Sequence, residues 1–256
     1  MFVHGAVGDY RAWGIFEASI SRKYRFISYS QRLYGSQVWP DDPAKVGTEQ
    51  YADDLIRFIE ALNLGPVHLV TWSFGGKVGS LMAADRSDLL KSAIHFEPVN
   101  RELGTEPEII AARKEFARGF SPAIKAIKKS DTLGAAKRFI EAVFGQEVGA
   151  FEFENIGFQR MVLQNAQHFG QQFLSPKSPL STPMLTCDYL NRTRTPTLII
   201  YGEKTNEFFR LLFEKTLKCI PNSQRAIMPG VTHAGPMRTP DVFLRLVEQW
   251  VDRHSR

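Results

Sequence analysis

One local pattern limits the fold more than any other. Pro66-Val67-His68-Leu69-Val70 is a short apolar run, and it passes through Thr71-Trp72-Ser73-Phe74-Gly75-Gly76 directly into a segment of helical character over residues 77–84. A strand that turns straight into a helix is the first half of a crossover unit, and such units build parallel sheets with helices packed on their faces. The rest of the chain keeps this rhythm. Residues 24–29, 92–96 and 197–201 have strand length and composition, and 225–228 reads as a shorter strand. Tyr51, Leu55, Phe58, Ile59 and Leu62 fall on one face of a helix, with Thr48 placed as its N-cap and residues 63–65 as its end. Phe243, Leu246, Val247, Trp250 and Val251 mark a last amphipathic helix that starts after Pro240.

The alternation breaks once. Between residues 100 and 184 no strand pattern is visible, while 113–120, 123–129, 133–144 and 151–172 read as helices. A proline-rich connector, 174–183, follows them. The expected organisation is a discontinuous α/β core, residues 1–99 and 185–256, carrying a helical insertion over 100–184. With 256 residues, 43% apolar and 23% charged, the chain can bury a core of this size. Disordered, collagen-like and coiled-coil classes are excluded.

Lys and Arg exceed Asp and Glu by 32 to 27, for a net charge of +5. Nine of these cations, against five carboxylates, lie within residues 101–140 of the insertion. They are scattered rather than interleaved with aromatics, so nucleic acid is not an expected partner. No apolar run reaches the roughly 18 residues of a membrane span, and the N-terminus carries no leader pattern. Cys187 and Cys219 read as isolated thiols suited to a reducing compartment. A cytoplasmic protein without membrane attachment is the expectation, with a small-molecule substrate and a possible homodimer as partners.

Three segments carry chemistry. Ser73 stands where a strand becomes a helix among small residues, the setting in which a hydroxyl is held at the carboxyl edge of a sheet. Thr71 occupies the position two before the serine where such turns usually have glycine. His4-Gly5-Ala6 follows the apolar pair Phe2-Val3, and the backbone N–H of Ala6, with that of Phe74, is placed to meet a developing oxyanion. His233, in Met228-Pro229-Gly230-Val231-Thr232-His233-Ala234-Gly235, sits in a loop before the last helix. Imidazole is the natural base for a serine near neutral pH. His68 and His95 lie within strands and read as core residues.

Taken together, His4-Gly5, Ser73, the late helical insertion, Pro196-Thr197-Leu198-Ile199-Ile200-Tyr201-Gly202-Glu203 and the His233 loop resemble the α/β-hydrolase family. The resemblance covers the chain outside the insertion. It implies a doubly wound, mostly parallel sheet with a helical cap, and a triad with Ser73 as nucleophile and His233 as base. It also implies two strands ahead of the His4 strand, for which this chain has no residues. The family's usual acid position falls at Thr205, which carries no charge. The alternatives are Glu97, at the end of the 92–96 strand, a dyad without a proper acid, and Glu207; Glu97 is the preferred assignment.

A serine in place of the aspartate that opens epoxides or removes halide implies acyl chemistry without a cofactor or metal. The expected function is a serine hydrolase acting on a small, fairly apolar ester through an acyl-enzyme, with phenylalanines of the cap roofing the pocket and Trp72 a candidate substrate contact. The competing readings are a weak or inactive ligand-binding protein of the same fold, and a lyase, perhydrolase or acyl-transfer variant of the same triad.

Overall fold

The computed structural model describes residues 1–175 and 178–255. Its strands are β1 (Phe2–Val3), β2 (Ser28–Tyr29), β3 (Val67–Trp72), β4 (Leu90–Phe96), β5 (Thr197–Gly202) and β6 (Ser223–Met228). The helices that flank the sheet are α1 (Gly14–Ile20), α2 (Thr48–Leu62) and α3 (Phe74–Asp85) early in the chain. The strand-free stretch between β4 and β5 contributes α4 (Pro107–Arg118), α5 (Ser121–Lys128), α6 (Thr132–Phe144), α7 (Ile156–Gln164) and α8 (Cys187–Leu190). The chain closes with α9 (Glu207–Cys219), α10 (Gly235–Arg238) and α11 (Pro240–Arg253).

The sheet order is β2-β1-β3-β4-β5-β6, with every pairing parallel. Register then determines what meets at its carboxyl edge. Val3 pairs with Thr71, Trp72 with Phe96, and Phe96 with Ile200, so β1, β3, β4 and β5 end nearly level. The residues after those ends, near positions 4, 73, 97 and 203, are brought together although they lie far apart in sequence. In open parallel sheets this edge is where ligands bind.

Alternate side chains of β3 show that both faces are covered. Thr71 points at α3, where its Cγ2 lies 2.9 Å from the position a Cβ on Gly79 would take. Its neighbour Trp72 points the other way, its ring 6.2 Å from that of Trp13. Trp13, Phe16 and Phe243 form an aromatic cluster under α1 and α11. On the opposite face, α2 packs on α3 and α8 on α9.

Several local expectations are corrected. The strand expected over 24–29 shrinks to Ser28–Tyr29, because it lies at the sheet edge and its neighbour β1 offers only two residues to pair with. Thr48 is the first residue of α2 rather than its cap, which is Gly47; the Thr48 hydroxyl instead donates to the Leu180 carbonyl at 3.1 Å. The single helix expected over 151–172 is divided. Asn155 caps α7 by accepting from the N–H of Gly157, and Asn165 ends it by turning its amide back onto the Met161 carbonyl. A π-helical turn, Gly170–Leu174, follows.

The cysteines are also corrected. Cys187 in α8 and Cys219 in α9 form a disulfide, their Cα atoms 4.8 Å apart. They therefore give no argument for a reducing compartment. No helix among the described residues is long and apolar enough to cross a membrane. The bond closes a loop across a sequence separation of 32, for which chain entropy gives a stabilisation of about 3.7 kcal/mol. Replacing both cysteines by alanine is expected to lower the unfolding free energy by about 2–4 kcal/mol, read from the midpoint of a urea titration.

Candidate active site

Ser73 occupies the single residue between β3 and α3, with φ 57° and ψ −118°. A non-glycine residue rarely adopts such a backbone, and here the surroundings enforce it. Its N–H donates to the Phe96 carbonyl at 2.9 Å, and its carbonyl accepts from the N–H of Gly76 at 2.9 Å. The helix starts so close to β1 that a side chain at Gly75 is impossible: a Cβ there would stand 2.5 Å from the His4 carbonyl oxygen. Thr71 is tolerated where a glycine is usual because Gly79 supplies the missing space from the helix side, facing the threonine methyl.

His233 and Glu97 meet across 136 residues of sequence. The Nδ1–H of His233 donates to Glu97 Oε2 at 2.5 Å, and both side chains are almost fully buried. Glu97 leaves the end of β4 with a φ of 48°, which turns its carboxylate toward β5. There Oε1 accepts from the Gly202 N–H at 2.9 Å, and Oε2 accepts from the Thr205 hydroxyl at 3.2 Å. Thr205 thus orients the Glu97 carboxylate from the position where the family resemblance implies an acid. Glu207, the other carboxylate considered, starts α9 at the surface and pairs with Arg210 at 2.6 Å, so it is not the partner of His233.

Two further contacts fix the imidazole. Trp72 Nε1–H donates to the His233 carbonyl at 3.0 Å, and the ring of Phe209 stacks on that of His233 with centroids 4.9 Å apart. With Nδ1 committed to Glu97, Nε2 is the free nitrogen. His233 and Ser73 both line one small cavity, together with Gly5, Ala6 and Trp72. The Trp72 side chain belongs to this inner cavity and to the support of the His233 loop; it does not line the larger cavity beside it. Sequence reasoning missed the roles of Thr205, Trp72 and Phe209, because each acts through a contact made only in the folded chain.

The turn after β1 is held by His4. Nε2 accepts the Gln31 backbone N–H at 2.9 Å, which leaves the proton on Nδ1 to donate to the Gly5 carbonyl at 2.8 Å. Burial lowers the His4 pKa to about 4, so the ring stays neutral and keeps this tautomer. The Gln31 amide donates to the His4 carbonyl at 2.8 Å from the same side. Ala6 is thereby presented beside Ser73. Phe74 is the first residue of α3, where backbone N–H groups have no intrahelical acceptor.

Ala6, Ser73 and Phe74 open onto a cavity of about 380 Å³, within the range of small-molecule sites. The strand-free helices supply much of its wall, including Phe116, Phe120 and Phe139. They are tied to the sheet by polar contacts as well. Asn165 Nδ2 donates to Asp9 at 2.8 Å, the Gln172 side chain accepts from the Tyr51 hydroxyl at 2.8 Å, and the Thr232 hydroxyl donates to the Phe144 carbonyl at 2.9 Å. Among the described residues, no group of three His, Cys, Asp or Glu side chains converges to hold a metal ion.

The model of the Alpha/beta hydrolase family matches residues 1–246. The chain belongs to that family. Among curated proteins, it is 23% identical over 231 residues to the serine hydrolase BPHL of Mus musculus, covering 90% of this chain and 70% of that protein. It is 22% identical over 260 residues to 2-(acetamidomethylene)succinate hydrolase of Mesorhizobium japonicum, covering 98% and 87%. Among solved structures, a thermophilic esterase from Thermogutta terrifontis, with malate bound, superposes with a TM-score of 0.72 at 22% identity, covering 99% of this chain and 89% of that one. For an alpha/beta hydrolase, the elements just described occupy the expected edge of the sheet.

Proposed function

We propose that this chain is a serine hydrolase that cleaves a small, fairly apolar carboxylic ester through an acyl-enzyme, with residues 100–184 serving as a cap over the site. The observation that carries the reading is the buried Glu97–His233 hydrogen bond, which leaves Nε2 uncommitted on a histidine that lines the same small cavity as Ser73. In this reading Ser73 Oγ attacks the ester carbonyl while its proton passes to His233 Nε2. The tetrahedral oxyanion is met by the N–H groups of Ala6 and Phe74. His233 then protonates the departing alkoxide and activates the water that releases the acid. Glu97 stabilises the imidazolium in both steps. Names of relatives support the hydrolytic class: two are hydrolases and one is an esterase.

A covalent intermediate has a consequence that simple hydrolysis lacks. Aryl esters sharing one acyl group but differing in leaving group pass through the same acyl-enzyme. In water containing methanol they are expected to yield one common ratio of methyl ester to free acid. A ratio that changes with the leaving group, or no turnover across a panel of aryl and alkyl esters, overturns the reading. Ligand binding without any turnover points instead to a binding protein on the same fold.

A further inference from the structure

The larger cavity is lined mostly by apolar side chains, with cations among them. Its lining includes Lys77, Arg101, Arg113 and Lys114 and no carboxylate. Lys77 lies one helical turn beyond Ser73 on α3 and so shares its face. It is 2% exposed, and its Nζ donates to Glu102 Oε1 and to the Leu180 carbonyl, both at 2.6 Å. An ammonium has three N–H donors, and the third has no acceptor among the described residues. Burial draws the Lys77 pKa down to about 8, with Glu102 acting against that shift, so the group remains largely charged at neutral pH.

Arg113 and Lys114 project from α4, which also contributes Phe116 and Ala117 to the same wall. Among the described residues, neither cation forms an ion pair. Glu102 pairs with Lys77 and Arg101, Glu106 with Lys215 and Glu115 with Arg118, while Glu49 acts on Lys77 without pairing to it. Glu102, with Glu49 farther off, offsets part of the charge of Lys77 and Arg101, and Arg113 and Lys114 remain as an uncompensated excess beside the cavity. An excess of one sign within low-dielectric walls concentrates ligands of the opposite sign.

We infer that the cavity takes esters carrying a carboxylate at the end remote from the scissile bond, with the apolar middle against the phenylalanines and the anion at Lys77, Arg101, Arg113 and Lys114. This rests on the hydrolase reading and narrows its substrate class. Charge-assisted hydrogen bonds of this kind give a preference of about tenfold or more over a neutral group of the same shape.

The test compares isosteric pairs. The 4-nitrophenyl monoester of pimelic acid is set against 4-nitrophenyl 6-carbamoylhexanoate, and 3-(4-acetoxyphenyl)propanoate against its propanamide, so that the anion sits in the acyl or the alcohol part. In at least one pair the carboxylate ester is expected to show a kcat/KM about tenfold higher, carried by KM and shrinking as salt is raised. In the Arg113→Gln/Lys114→Gln variant, whose changes lie on an exposed helix face, the ratio within that pair falls toward one. Calorimetric titration of Ser73→Ala with the same compounds reads the preference without turnover. Turnover of both members of each pair at equal kcat/KM overturns the anion site while leaving the hydrolase reading intact. Absence of turnover by the unmodified enzyme, with tighter binding of the carboxylate, overturns the hydrolase reading and keeps the anion site.

Discussion

Ser73→Ala is expected to lower kcat/KM on aryl esters by on the order of 10⁵- to 10⁶-fold, the loss seen when a nucleophile that works as a unit with its base is removed. KM is expected to change little, because the cavity walls and the turn at Ala6 do not depend on the hydroxyl. Alanine keeps the Cβ that packs near Gly5, so stability is expected to stay within about 1 kcal/mol. The unusual backbone at φ 57° is imposed by β1, β4 and α3 rather than by the side chain, and the elbow persists in the variant. Initial rates on one ester, measured beside a urea melt, separate lost chemistry from lost fold. A variant that retains a tenth of the activity would mean that another residue attacks the substrate.

Glu97→Gln is expected to lower kcat by on the order of 10³- to 10⁴-fold through the tautomer of His233. The Gly202 N–H can only donate, so it selects the amide oxygen of the new side chain. The amide NH₂ then faces His233 Nδ1, where the carboxylate had accepted a proton. The ring must move its proton to Nε2, and it then presents a donor where Ser73 needs an acceptor. The Thr205 hydroxyl can rotate to accept from the new amide, so local packing is retained. The charge that stabilised the imidazolium is lost at the same time. A pH–rate profile together with the unfolding midpoint checks this account. An unchanged rate would show that Glu97 is not the acid.

Much of this arrangement was legible in the sequence because its signals are local. The β3–turn–α3 unit, the His4-Gly5 turn and the His233 loop each combine apolar period and small residues within a dozen positions. The placement of Glu97 was legible as the end of a strand. Its meeting with His233 depends on β4 lying beside β5, which the order of elements suggests but does not determine. Thr205 illustrates the limit: from sequence it is only a missing acid, while in the fold it donates to the Glu97 carboxylate from the neighbouring strand end.

Local reading fails where a tertiary partner decides. Residues 24–27 have strand composition but no opposing strand long enough to pair with, and Thr48 turns from its own helix end to hold Leu180. Asn155 and Asn165 divide an apolar stretch that looks like one helix. The Cys187–Cys219 bond could not be read at all, since a separation of 32 residues says nothing about how α8 approaches α9.

The central claim is that Ser73 is an activated nucleophile, and covalent labelling tests it most directly. The folded protein, treated with a fluorophosphonate beside a known serine hydrolase, is expected to gain the mass of one adduct in step with loss of esterase activity. Proteolytic mapping should place that adduct on the peptide containing Ser73, and prior heat denaturation should abolish it. An unlabelled Ser73 in folded protein, under conditions where the reference enzyme reacts completely, would contradict the account.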